Sequence, residues 1–344
     1  MSSNKLACFV FGLLISWGAL AADTVAVNPD HPDRYVVVKG DTLWDIAGRF
    51  LRDPWRWPDV WYVNPQIANP HLIYPSDIIT MTYVNGQLRL GLERGSTVKL
   101  SPRVRSTPLD GAIPAIPLDA IHQFLTRPYV MEEGEMDAAP YVVAFAEEHI
   151  LGSNDLKAYV RSITESDNIK FDVVRPGDAY KDGETGEILG YEALYISGSE
   201  LLSSGDPATV LLSNMELESR KGDRLLPVKE DTPLNAFFPS APAREVNGSI
   251  ISVLNGVSQI GQYNVVVLDR GARDGLEPGS VLTIDHRGET IRDTVSSNPG
   301  ETVTLPDEPA GTLMVFRTFE RVSFGLVMDA TRAIHVLDRV RNPE

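Results

Sequence analysis

Cysteine is almost missing from this chain. One residue, Cys8, occurs in 344, and it lies inside an apolar leader. With that leader removed the mature chain has none, which excludes disulfides, cysteine-metal sites and thiol nucleophiles together. Positive charge is also short: 31 Lys and Arg stand against 47 Asp and Glu, a formal net charge of −16. So acidic a chain has no attraction for a phosphate backbone, and no nucleic acid partner is expected. The six histidines, His31, His71, His122, His149, His286 and His335, are scattered along the sequence. Neither His-x-His nor His-Glu-x-x-His occurs, so zinc-peptidase chemistry has no ligand set. Gly-x-Ser-x-Gly and Gly-x-x-x-x-Gly-Lys-Ser/Thr are absent too. No catalytic residue, metal or cofactor is expected.

What is present begins with the leader. Lys5 precedes Leu6–Trp17, an apolar run too short to span a bilayer comfortably. Ala19-Leu20-Ala21 then offers a small-x-small cleavage site, so residues 1–21 read as a secretory signal peptide. No integral membrane segment is expected after its removal. An apolar content of 43% with 8% aromatics supports packed cores rather than disorder, and the length predicts about two or three domains. Residues 22–33, with Pro29, Pro32 and three Asp, read as a short linker.

Residues 34–83 carry the densest local signals. Tyr35 to Val38 are consecutive β-formers and predict a strand. Gly40-Asp41 turns the chain. Thr42, with Asp45 three residues on, is a capping-box-like helix start in which Asp replaces the preferred Glu or Gln. Leu43, Ile46, Ala47 and Phe50 then form one apolar stripe at helical spacing. Pro58 suits the first turn of a second helix, filled by Val60, Trp61, Val63 and Asn64 and stopped by Pro65. Ile78, Ile79 and Met81 predict a closing strand. This stretch is charge-neutral, with Arg34, Lys39, Arg49, Arg52 and Arg56 against Asp41, Asp45, Asp53, Asp59 and Asp77.

Tyr35-Val-Val-Val-Lys-Gly-Asp-Thr-Leu-Trp-Asp-Ile-Ala47, then Val63-Asn-Pro65, then Ile73-Tyr-Pro-Ser-Asp77, resembles the LysM family, modules that bind the N-acetylglucosamine of peptidoglycan or chitin. The resemblance implies a βααβ order and a shallow glycan groove between two loops. Carried over, Gly40, Asp41, Thr42 and Leu43 form one wall, and Asn69, Pro70, His71, Leu72 and Ile73 the other. Asp41 and Thr42 are either caps alone or, as the resemblance allows, cap and wall together. The four Trp of the mature chain all fall here. Trp44 and Trp61 are expected in the core of so small a module; Trp55 and Trp57 either pack or line the sugar surface. The family usually has Pro-Gly at the last turn, where this chain has Pro75-Ser76. The Asp53-Pro-Trp-Arg-Trp-Pro58 insertion either enlarges the sugar surface or seals the module against the rest of the chain.

Residues 84–137 read as a linker holding a hairpin at Asn85-Gly86 and a short amphipathic helix from Pro117 to Thr126 (Leu118, Ile121, Phe124, Leu125). From Tyr141 onward, short β runs alternate with turns. A weak internal repeat predicts two β units, 138–230 and 246–344: Ile150–Val160 parallels Ile260–Val267, Arg175-Pro-Gly-Asp parallels Glu277-Pro-Gly-Ser, Gly190–Tyr195 parallels Gly311–Phe316, and Gly222-Asp-Arg parallels Leu337-Asp-Arg. Glu230 to Ala243, with a Phe237-Phe238 pair, would be the join. The expected class is therefore α+β, a LysM module followed by a mostly-β region. Glu165-Ser166 is similar to the catalytic dipeptide of helical lytic transglycosylases, yet Thr164-Glu-Ser-Asp-Asn168 reads as a solvated turn rather than a helix in a deep cleft. The expected function is non-enzymatic peptidoglycan binding in the periplasm, with an envelope protein partner held through residues 138–344. The alternatives are a peptidoglycan hydrolase or hydrolase activator with an unrecognised site, and an envelope assembly scaffold.

Overall fold

The computed structural model describes residues 25–61, 73–93, 112–125, 130–132, 134–163, 168–228, 237–254, 259–295, 298 and 300–344. The leader, most of the second groove wall and the Glu165-Ser166 pair lie outside these residues. The class is the expected one: a β-α-α-β region, then mostly strand.

The first unit comprises β1 (Arg34–Val36), α1 (Leu43–Phe50), a 3₁₀ turn at Pro54–Arg56, α2 (Trp57–Val60), β2 (Ile78–Val84) and β3 (Gln87–Glu93). β1, β2 and β3 form one antiparallel sheet. Asn85 and Gly86 join β2 to β3 with φ of 53° and 78°, the left-handed pair that a two-residue hairpin needs. Leu43, Ile46, Ala47 and Phe50, the stripe read from the sequence, are all buried, against Val37, Ile73, Ile79 and Leu90 of β3. The second helix ends earlier than its residue pattern predicts. Trp61 is extended, with ψ of 116°, because it forms a parallel bridge with Leu90; Val63, Asn64 and Pro65 lie outside the described residues.

Ser76 holds φ of 80° in the turn that follows Pro75, closed by the Asp77 N–H donating to the Tyr74 carbonyl at 3.0 Å. Pro followed by a left-handed residue is the pattern of a type II turn, and a side chain there is strained. Ser76→Gly is expected to stabilise this unit by about 1 kcal/mol, read as a shift in its urea midpoint by tryptophan emission.

α3 (Leu118–Leu125), β4 (Val130–Met131) and α4 (Glu135–Ala138) lead to two closed rings of strands. The first contains β5 (Tyr141–Phe145), β6 (Lys157–Arg161), β7 (Lys170–Lys181), β8 (Ile188–Ser203), β9 (Ala208–Ser213) and β10 (Arg224–Pro227). Its pairings run β10-β5-β6-β9-β8-β7 and back to β10, with β4 added on β8. The second contains β11 (Asn247–Leu254), β12 (Val265–Leu268) and β13 (Val281–His286). An outlying ribbon, β14 (Thr290–Arg292) with β15 (Thr302–Thr304), follows. β16 (Glu308–Thr318), β17 (Ser323–Ala330) and β18 (Arg339–Arg341) complete the ring in the order β11-β12-β17-β16-β13-β18. Strand for strand, the connectivity of the two rings is the same. Gly222-Asp-Arg and Leu337-Asp-Arg both lead into the last strand. The Pro-Gly parallel is not structural: Pro176-Gly177 lies inside β7, whereas Pro278-Gly279 precedes β13.

β9 alternates buried Ala208, Val210 and Leu212 with half-buried neighbours, the pattern of a strand with one covered face. β12, Val-Val-Val-Leu, is buried at every position, and so needs cover on both faces. Val266 and Leu268 pack with Ile250, Leu282 and Val327 within the second ring. Val265 and Val267 join an outer cluster covered by Ile121 and Phe124 of α3, Trp44 of α1, and Tyr180 and Leu189 of the first ring. α3 thus docks on the second ring, and the Arg317 guanidinium donates to the Phe124 carbonyl at 2.9 Å. The two rings also meet through polar groups. Arg270 Nη1 donates to Asp182 Oδ2 at 3.0 Å, and the Gly183 N–H to Asp269 Oδ2 at 3.0 Å. The N–H of Thr185, ahead of other donors, holds the Asp182 carboxyl down at about 2.

Candidate functional site

The turn between β1 and α1 is tightly determined. Gly40 has φ of 99°. Asp41 Oδ2 accepts the Val38 N–H at 2.9 Å and the Tyr35 hydroxyl at 3.0 Å, which locks the turn; burial and then Asp41 raise the Tyr35 phenol. Arg49 lies 4.4 Å over the Tyr35 ring. Thr42 closes the capping box with Asp45 in the Glu position: the Asp45 N–H donates to Thr42 Oγ1 at 3.1 Å, and the Thr42 N–H donates to Asp45 Oδ2 at 3.2 Å. The Thr42 side chain is buried, as is Leu43. What this wall presents is therefore backbone. Thr42→Ala is expected to cost the unit about 1 kcal/mol, read as a lower urea midpoint by tryptophan emission.

Of the other wall, Asn69, Pro70, His71 and Leu72 lie outside the described residues. Ile73 is fully buried, and its side chain belongs to the core. Its carbonyl faces the gap between the walls, where a segment of the chain itself runs. The Leu43 N–H donates to the Pro114 carbonyl at 3.0 Å, the Trp44 N–H donates to the Ala115 carbonyl at 3.2 Å, and the Ile113 N–H donates to the Ile73 carbonyl at 2.8 Å. Leu43 and Trp44 open α1, where N–H groups have no partner within the helix. No periodicity marks Ala112-Ile-Pro-Ala-Ile116 for this place, and sequence reasoning missed it.

The tryptophans divide between two surfaces. Trp57 is in the core of the first unit, edge-on to Trp61 with ring centroids 6.1 Å apart. Trp44 is buried, as expected, but against the outer cluster of the second ring, and Trp55 packs on the same cluster. This fits the sealing role of the Trp-rich insertion. An open cleft of about 810 Å³ remains beside this contact, lined in part by Asp45, Arg49, Trp55, Gln262 and Tyr263. Tyr263 donates to Asp45 Oδ1 at 3.3 Å; burial, then Asp45, raises its phenol.

Two histidines that look unrelated in the sequence come together in the second ring. His286 Nδ1 is 3.0 Å from Asp338 Oδ1, and His335 Nδ1 is 4.0 Å from Asp338 Oδ2. The three side chains offer ligand atoms within 4.8 Å of one another. Asp338 also accepts the N–H of His335 at 2.8 Å and of Arg287 at 3.1 Å, so it staples the turn before β18. Asp223, before β10, does the same in the first ring with Arg175 in place of histidine.

The β-α-α-β order around this turn is the architecture of a small module, and the family it matches is one that binds glycan, peptidoglycan or chitin. The LysM domain family matches residues 35–82, and this part of the chain is a LysM domain. The uncharacterized protein YqbP of Bacillus subtilis (strain 168) is 54% identical over 33 residues. The aligned segment covers 10% of this chain and 15% of that protein. Among the described residues no helix is long and apolar enough to cross a membrane.

Proposed function

We propose that this chain is a non-enzymatic peptidoglycan-binding protein of the bacterial cell envelope, active in the periplasm. The LysM domain holds N-acetylglucosamine glycan, and the two rings present a surface to an envelope protein. The observation that carries the glycan reading is that the Leu43 and Trp44 N–H groups on one side of the groove and the Ile73 carbonyl on the other each bond an amide of the segment between them, Pro114, Ala115 and Ile113. An acetamido group offers one carbonyl and one N–H, the complement of that arrangement. Support for an interaction role of the rings comes from exposed apolar side chains on the β14–β15 ribbon, Ile291 and Val303, and on Val295 between them. Affinity for glycan would be modest, since one shallow groove without a charged anchor buries little area.

Sedimentation of the pure full-length chain with purified sacculi tests the binding, with retention expected and competition by chitotetraose. Failure to co-sediment would overturn it. A zymogram on peptidoglycan tests the non-enzymatic part: no cleared band is expected, and a cleared band from pure protein would make the chain a hydrolase.

A further inference from the structure

The groove of the LysM domain has an occupant built into the chain. We propose that residues 112–116 form a strap that glycan must displace, and that displacement also loosens the LysM domain from the second ring. This rests on the proposal that glycan enters this groove.

The strap meets both walls through the groups a sugar would need. Pro114 and Ala115 give their carbonyls to the opening N–H groups of α1, while Ile113 gives its N–H to Ile73. A peptide unit and an acetamido group share one amide chemistry, so these bonds and the glycan's are mutually exclusive. The strap is held by more than hydrogen bonds. Ile113 is buried in the LysM core. Ile116, fully buried, joins the outer cluster of the second ring together with Ile121, Phe124 and Trp44. Five residues therefore tie two cores together, and α3 follows directly. Lifting the strap frees two backbone donors for glycan and at the same time withdraws Ile116 from the cluster against which Trp44 and α3 pack. Occupancy of the groove and docking of the domain become opposite ends of one equilibrium. A ligand that binds only the open state has its apparent affinity reduced by the fraction open.

Ile116→Ser tests this, because that side chain lies outside the LysM core and its loss leaves the domain's own packing in place. Calorimetric titration of the full-length variant with chitotetraose should show affinity about tenfold tighter than the wild type, as the open fraction rises. Hydrogen exchange on the unaltered chain supplies the second readout. Saturating chitotetraose should expose the Ile113 amide while Leu43 and Trp44 stay protected, and Trp44 emission should shift to the red. Equal affinity for variant and wild type, with the Ile113 amide protected in the complex, would overturn the strap and leave glycan binding standing. No binding by either chain would overturn both.

Discussion

Phe50→Ala should unfold the LysM domain and abolish retention on sacculi while the two rings stay folded. Phe50 is fully buried in a core of Leu43, Ile46, Ala47, Trp57, Val60, Ile73, Ile79 and Leu90. Replacing a buried Phe by Ala costs about 3–5 kcal/mol. A unit this small buries a limited fraction of its surface and has little reserve, so the loss approaches its whole stability. The rings have separate cores, around Val266 and Leu313 in the second and Val160 and Val210 in the first, which the substitution does not touch. The chain reports the two outcomes separately. Trp44, Trp55, Trp57 and Trp61 all lie in the LysM domain, so tryptophan emission follows it, and the far-ultraviolet strand signal follows mainly the rings. Native emission with unchanged sacculus retention would show that Phe50 does not hold the groove in place.

Much of that domain is legible in the sequence because its determinants are local. Thr42 and Asp45 are three residues apart and cap one helix. Asn85-Gly86 makes a hairpin by backbone preference alone. Trp44 is buried as the sequence predicts, but not in the module's own core where it was expected. It lies about 100° around the helix from Leu43, off the Leu43-Ile46-Ala47-Phe50 stripe, so it needs a second partner surface. Which surface was not encoded locally, because the outer cluster of the second ring forms only when strands far apart in sequence close. The strap is invisible for the same reason. Its residues have no helix or strand period, and its partners are backbone groups at Leu43, Trp44 and Ile73. His286, His335 and Asp338 likewise meet only through the pairing of β13 with β18.

The Pro-Gly parallel shows the opposite error. Two similar dipeptides looked equivalent, but Pro176-Gly177 sits where the β7–β8 register shifts, and Pro278-Gly279 makes a turn, with Gly279 at φ of 102° and close under the Phe238 carbonyl. Turn chemistry recurs wherever a chain must bend, so it is poor evidence for homologous position. The Asp-Arg parallel survives because it specifies a particular job, closing each ring ahead of its last strand.

That job yields the second large effect. Asp223→Ala should destabilise the first ring by about 3 kcal/mol, the low end for a broken buried ion pair because Arg175 is partly exposed. The Asp223 carboxylate is 2% exposed. It accepts Arg175 Nε at 2.9 Å and Nη2 at 3.0 Å, and the Arg220 N–H at 2.7 Å. Removal leaves a guanidinium facing a gap and an N–H without its acceptor, next to the bridge between Gly152 and Ser219. Asp338→Ala, the counterpart, loses a histidine and two backbone donors instead of a guanidinium, so about 1–3 kcal/mol is expected there. Because a chain of several units does not unfold in one step, local hydrogen exchange is the suitable measure. Peptides covering β5 and β10 should lose protection in Asp223→Ala, and those covering β11 and β18 in Asp338→Ala, the first by more. Tryptophan emission and sacculus retention should be unchanged in Asp223→Ala, since neither the groove nor the strap touches that ring's closure. An equal loss at the two aspartates would mean that the turn bonds, rather than the charge pair, close the first ring.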